Sequence, residues 1–175
     1  MQLTTERLFI RELSPYDWKD VQRIAADFAA SKYAIYDMPM TTEENEIRKV
    51  TDIFAASHLF FAVFPKSSEE MMGHVCFHAE GEKYDLGYCF HSAYHGKGYA
   101  FESCTEIMKY FAEQKNVRTF TAGTAMENIP SRKLLEKLGF TLQGTQPLSF
   151  HKDEKGNDIV FTGGNFIKAY ERENI

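Results

Sequence analysis

The segment His91-Ser92-Ala93-Tyr94-His95-Gly96-Lys97-Gly98-Tyr99-Ala100 has the residue types and spacing to do chemistry. It follows a run that reads as a strand and opens a run that reads as a helix. Gly96 and Gly98 let the backbone turn sharply with no side chain barring approach. The free amides and positive end of the next helix then favour an anionic group such as a pyrophosphate, and Lys97 adds charge beside them. A plain strand-to-helix turn, with glycines serving geometry alone, would use the same residues. Two nucleotide readings fail. No Lys-Ser/Thr pair follows the second glycine as a Walker loop requires, and Phe101 stands where the third glycine of G-x-G-x-x-G would fall.

The elements that position this segment follow from periodicity. Arg7–Leu13 alternates as a first strand. Ser14-Pro15-Tyr16-Asp17 is a helix start, with Trp18, Val21, Ala25 and Phe28 on one buried face. Thr41-Thr42-Glu43-Glu44 has capping-box spacing and predicts a second helix through Ile47, Val50 and Phe54. Three short aromatic and β-branched runs, 59–64, 72–78 and 84–90, predict an antiparallel meander. A helical stripe follows through Ala100, Cys104, Ile107, Met108 and Phe111, then a strand over 117–124 and a helix over 128–138 closed by Gly139. Two last strands lie near 140–143 and 159–162. The strand–helix–strand unit from Tyr84 to Thr124 places its strands side by side and parallel. The expectation is a mixed α/β sheet covered by about four helices, with residues 1–175 as a single domain.

Bulk properties exclude several classes. The net charge of −5 shows no concentrated basic face, so neither nucleic acid nor an acidic membrane is expected as partner. The opening MQLTTERLFIREL lacks the apolar core of a signal peptide, and no apolar run approaches a membrane span. Cys76, Cys89 and Cys104 are widely spaced, with no C-x-x-C pair, which points to reduced thiols in a soluble, cytoplasmic protein. His74 and His78 share a strand face with Cys76, and His91 and His95 lie four apart, but structural-zinc spacing is absent and no metal site is expected. Cys104 falls on the apolar stripe of its helix and reads as core.

Tyr94-His95-Gly96-Lys97-Gly98-Tyr99-Ala100, with Glu102 just beyond, resembles motif A of the GNAT acetyltransferases. The resemblance is nearest to the RimJ/RimL branch, which acetylates N-termini of ribosomal proteins. Residues 127–140, ENIPSRKLLEKLGF, are similar to that branch's N-x-x-S-x-x-x-L-E-K-L-G-F signature. Leu3-Thr4-Thr5-Glu6-Arg7-Leu8 resembles its first strand, and Asp85-Leu86-Gly87-Tyr88 its central strand. The four matches occur in family order. The departure is Ala93, where many relatives carry Gln or Arg.

The resemblance implies a GNAT fold: a mostly antiparallel, centrally splayed sheet of about six or seven strands flanked by about four helices. It implies acetyl-CoA as cosubstrate, without a metal, and direct acetyl transfer to a primary amine in a ternary complex. The backbone of Cys89, Phe90 and His91 would pair with the pantetheine arm, and His95, Gly96, Lys97, Gly98, Tyr99 and Ala100 would hold the pyrophosphate. Asn128 would reach the cofactor from the other side, a role compatible with capping the next helix. Ser131 stands where the branch places the proton donor to the departing thiolate; bonding the helix backbone is the alternative. An amide near Phe90 would stabilise developing oxyanion charge. Asp85 is the first candidate for general base, sharing a face with Gly87 and Cys89, with Glu80, Glu82 and bulk water as alternatives. Tyr33, Tyr36 and Met38 belong to a segment that lines the acceptor cleft in relatives. The acceptor is a protein N-terminus or a small amine. A protein acceptor predicts an open cleft between residues 33–40 and the 140–161 hairpin, and a small amine a closed pocket bearing carboxylates. A monomer or homodimer fits either. A non-catalytic acyl-CoA-binding module is the alternative from another class.

Overall fold

Leu8 and Ile10 point into one core while Phe9 and Arg11 face the other side of the sheet, where Phe9 packs near Phe64. They form strand β2 (Leu8–Glu12) of a computed structural model that describes residues 1–170. A preceding strand β1 (Gln2–Thr4) pairs with it antiparallel. The chain then turns at Ser14, whose Oγ accepts from the Tyr16 amide at 3.3 Å while Asp17 Oδ2 accepts from the Ser14 amide at 2.7 Å. Arg11 grips the same carboxylate with two nitrogens, each at 2.7 Å. This reciprocal cap fixes a single 3-10 turn, Pro15–Asp17, that leads into helix α1 (Trp18–Ala29). Because the hydroxyl bond is long and exposed, Ser14→Ala is expected to cost only about 0.5–1 kcal/mol in urea unfolding.

The second predicted cap forms differently. Helix α2 (Glu44–Ala56) begins after Glu43 with no side-chain cap. Thr41 Oγ1 instead accepts from the Glu43 amide at 3.2 Å, a local turn outside the helix, so the threonine lies too far upstream to close a capping box.

Strands β3 (Phe60–Pro65), β4 (Gly73–Glu80) and β5 (Lys83–Phe90) make the expected antiparallel meander. Helix α3 (Tyr99–Gln114), strand β6 (Thr119–Ala125) and helix α4 (Ile129–Lys137) follow. The α4 end is closed by Gly139 at φ +86°, with Phe140 N donating to Leu135 O and Gly139 N to Glu136 O. A long hairpin of β7 (Thr141–Lys152) and β8 (Asp158–Ala169) completes an eight-stranded sheet among the described residues, ordered β1-β2-β3-β4-β5-β6-β8-β7.

Alternation along β3 sends Phe61 and Val63 to one face and Phe60, Ala62 and Phe64 to the other, so both faces carry a core. Phe61, Phe77, Phe120, Cys104, Ile107, Phe111 and Leu135 pack under α3 and α4. Val21, Ile24, Ala25, Ile47, Phe60 and Met71 pack under α1 and α2. Every neighbouring pair of strands is antiparallel except β5 and β6. That parallel pair is joined only where Lys83–Asp85 face Thr119–Thr121. Beyond Asp85 the two strands part, and the sheet opens in its middle. No helix among the described residues is long and apolar enough to cross a membrane.

Candidate active site

The gap between β5 and β6 leads into a cavity of about 750 Å³. The ends of β5, α1 and α4 and the start of α3 converge on it, contributing Tyr88, Cys89, Phe90, Tyr33, Asn128 and Ser131 among others. His91 N donates to Met72 O across the β4 side. The alternation of an antiparallel ladder therefore turns the main-chain groups of Tyr88 and Phe90 away from β4 and toward the gap.

The loop after Phe90 is held by its own side chains. His91 Nδ1 accepts from the Ala93 amide at 3.2 Å, and Asp27 of α1 accepts from both the amide and hydroxyl of Ser92 at 2.8 and 2.6 Å. Burial alone would raise the Asp27 pKa, but these Ser92 bonds bring it below the ordinary value. His95 Nε2 lies 2.7 Å from Phe90 O, and since a carbonyl only accepts, that nitrogen carries the proton. Lys97 Nζ folds back to Ala93 O at 2.9 Å. Gly96 and Gly98 then take φ of +72° and +79°, a region costly for other residues. With Gly98 at the cap position no side chain covers the first amides of α3. Tyr94, His95, Gly96, Gly98, Tyr99 and Ala100 line the cavity, whereas His91 and Lys97 stand outside its lining and brace the loop.

A second brace comes from the first strands. Glu102, in the first turn of α3, accepts from Thr5 Oγ1, from the Arg7 amide at 3.1 Å and from Arg7 Nε at 2.7 Å. The Arg7 guanidinium also donates to Lys97 O at 2.9 Å and stacks 4.5 Å above the Tyr99 ring. Burial pushes the Glu102 pKa up, and the bonds from Thr5 and Arg7 outweigh it, so the net shift is downward. A carboxylate depressed in the folded state stabilises above its unfolded pKa and loses that contribution as pH falls through the folded value. Glu102→Gln is therefore expected to abolish part of the acid sensitivity of unfolding below about pH 4, as read by urea unfolding across the acid range.

Ser131 projects from the first turn of α4. Its amide donates to Asn128 Oδ1 at 3.3 Å, so Asn128 both caps the helix and lines the cavity. The Ser131 hydroxyl bonds side chains: Tyr88 Oη lies at 2.8 Å, and Thr124 Oγ1 donates to it at 2.9 Å. Burial raises the Tyr88 pKa, with the Ser131 bond a smaller opposing effect, so the ring stays a phenol. Cys89 lines the cavity, but burial pushes its thiol up to about 12, which removes it as a thiolate nucleophile near neutral pH.

Asp85 lies where β5 and β6 still touch; its Oδ1 accepts from Thr121 Oγ1 at 2.8 Å, and it is not part of the cavity lining. Tyr33 lines the cavity, while Tyr36 meets the Phe161 ring edge-on at 5.3 Å and Met38 is 68% exposed. His151 Nε2 donates to Asp37 O at 2.8 Å, so the segment after α1 is tied to the hairpin, and the open cleft that a protein acceptor predicted between residues 33–40 and the hairpin is bridged at Tyr36 and Asp37. Beyond these contacts, Asn165 sits in register between Gly123 and Gly144, and a Cβ at either glycine would meet nothing within 4 Å. This strip of sheet is open. Among the described residues no group of three His, Cys, Asp or Glu side chains could hold a metal ion.

Sequence reasoning quoted Tyr88, Thr5, Arg7 and Glu102 without assigning them contacts, and missed Thr124, Asp27 and Asn165. Thr124 ends a strand opposite a helix start, and nothing local distinguishes it from any strand threonine.

A family model described as the acetyltransferase (GNAT) domain matches residues 7–141. An uncharacterised N-acetyltransferase of Bacillus subtilis, YnaD, is 32% identical over 146 residues, 82% of this chain and 85% of its own length. The ribosomal protein uS5-alanine N-acetyltransferase of Escherichia coli is 23% identical over 189 residues, covering 93% of this chain and 89% of that protein. The solved structure of RimL, a ribosomal-protein alpha-N-acetyltransferase in complex with coenzyme A, superposes with a TM-score of 0.80 at 17% identity, over 97% of this chain and 98% of that one, a likeness of fold. On the strength of the family match and the Bacillus relative, the chain belongs to the GNAT acetyltransferases and is an N-acetyltransferase.

Proposed function

We propose that the whole chain forms one domain that transfers acetyl from acetyl-CoA directly to a primary amine in a ternary complex, the amine being a peptide N-terminus. The observation that carries this reading is a single cavity joining the Gly96–Gly98 corner to the Ser131 hydroxyl. The residues present fit the cosubstrate: glycines at positive φ leave the α3 amides uncovered, and the parted strands offer unpaired main-chain groups where an amide-bearing arm would lie. Gly96, Gly98, Tyr99 and Ala100 would hold the diphosphate and Asn128 its far side, while of the expected arm contacts the Phe90 main chain faces the gap and that of Cys89 is turned to β4. Bound there, the thioester supplies an activated acetyl group.

The Phe90 amide faces the position where oxyanion charge develops, and Ser131 gives its proton to the sulfur as the C–S bond breaks. Asp85, oriented by Thr121, takes the amine proton through water. The open Gly123–Asn165–Gly144 strip supports a peptide acceptor, since a free carboxamide between exposed glycines offers both a donor and an acceptor to an extended backbone. The uS5-alanine relative points the same way. Tyr33, Tyr36 and Met38 flank the first side chain. A cytoplasmic setting agrees with three unpaired thiols. Calorimetry with CoA, beside thiol release with N-terminally free peptides, N-blocked peptides and small amines, tests the proposal. Turnover on free N-termini is expected; CoA binding without turnover on any acceptor would leave a non-catalytic module, and absence of binding would remove the cofactor assignment.

A further inference from the structure

We infer that Tyr88 and Thr124 are positioning residues that aim the Ser131 proton into the cavity, an inference that rests on the acid role proposed above for Ser131. A serine oxygen has two lone pairs and one proton. Thr124 Oγ1 donates to it at 2.9 Å, and Tyr88 Oη approaches at 2.8 Å. Either hydroxyl can be the donor of the Tyr88–Ser131 bond, and the arrangement inferred is the one in which Tyr88 donates. The Ser131 carbonyl, the other oxygen within its reach, lies farther away at 3.3 Å. When Tyr88 donates, both lone pairs are occupied and the Ser131 proton points at neither neighbour.

Nor is that proton spent on the backbone. A serine in a first helical turn often donates to a carbonyl three or four residues earlier. Among the described residues Ser131 makes no such bond, and its amide is served by Asn128. The direction left open is the cavity that Ser131 lines.

The step balances. The amine nitrogen forms a bond to the acetyl carbon, the C–S bond breaks with its electron pair on sulfur, and Ser131 Oγ passes its proton to that sulfur. The proton surrendered by the amine returns through solvent to the serine. Tyr88 and Thr124 keep their own protons throughout and stabilise the serine oxygen as its negative charge grows.

The inference is tested in the full chain under reducing conditions with Tyr88→Phe, Thr124→Val, Thr124→Ser and Ser131→Ala. Tyr88→Phe and Thr124→Val are each expected to lower kcat about tenfold with KM for acetyl-CoA within about twofold, the worth of one hydrogen bond that strengthens in the transition state. Thr124→Ser restores the rate. In the Ser131→Ala background the same changes should alter kcat by less than about twofold, because the group they act through is gone. A second readout needs no turnover: binding of CoA and desulfo-CoA by calorimetry from pH 7 to 10. A proton aimed at sulfur favours the bound thiolate, so the preference for CoA over desulfo-CoA should grow with pH in the wild type and stay flat in Tyr88→Phe and Ser131→Ala. An equal loss from Tyr88→Phe in both backgrounds, or an undiminished pH-dependent preference, would show that Tyr88 only packs α4 against β5. Ser131→Ala with wild-type kcat overturns the acid role itself, and the inference with it.

Discussion

Ser131→Ala is expected to lower kcat by about 10²–10³-fold and to leave the affinity for CoA within about twofold, to be checked by steady-state rates and calorimetry. The size follows from what the hydroxyl does at one moment only. Before the C–S bond breaks the sulfur carries no charge, so the lost hydroxyl costs little in binding; when the electron pair arrives on sulfur, the serine proton is missing. Cys89 is a poor replacement, because burial raises its pKa and so weakens it as an acid, and it emerges from the opposite face of β5. Folding is expected to survive, since the bond from the Ser131 amide to Asn128 is unaffected and alanine suits a helix. A kcat within threefold of wild type would remove Ser131 from the chemistry and leave water as the proton source.

What the sequence disclosed was mostly local. The Ser14–Asp17 cap is closed within four residues, and the Gly96–Gly98 corner within three, so residue types alone carried them. The edge strands were harder. The first eight residues of β7 are almost wholly exposed and contain Pro147, so they lack the apolar alternation that marks a strand; only a stub near 140–143 is legible, yet pairing with β8 extends it to Lys152. Strand β1 is three residues long and too short to show any period.

The candidate site was legible as segments but not as contacts. The four stretches that carried the family resemblance meet in two pairs. Arg7 reaches Glu102 across 95 positions, and Tyr88 reaches Ser131 across 43. One pair fixes the start of α3, the other the start of α4, and the cavity lies between. No periodicity in a single sequence encodes such a pairing, because it depends on where β5 and β6 stop running together. The same limit applies to Asp85, whose partner Thr121 lies 36 positions away on the next strand.

Gly73→Ala is expected to destabilise the protein by about 1–3 kcal/mol, lowering Tm by several degrees, and to weaken CoA binding about tenfold or more. Gly73 sits on β4 opposite Phe90, outside every motif. A Cβ there would lie 2.4 Å from Phe90 Cδ1 and 2.6 Å from the Cys89 carbonyl oxygen. The ring can rotate away, but the carbonyl belongs to the β4–β5 ladder and moves only if the strand moves with it. That strand end carries the Phe90 amide, the carbonyl gripped by His95, and the edge of the gap. Overpacking at this one position thus displaces the main chain that would receive the cofactor arm. Gly123→Ala is the matched comparison: its Cβ meets nothing within 4 Å, and its stability should stay within about 0.5 kcal/mol of wild type. If Gly73→Ala loses stability but keeps full CoA affinity, the Phe90 end of β5 is not what holds the arm, and the cofactor must rely on the α3 amides alone.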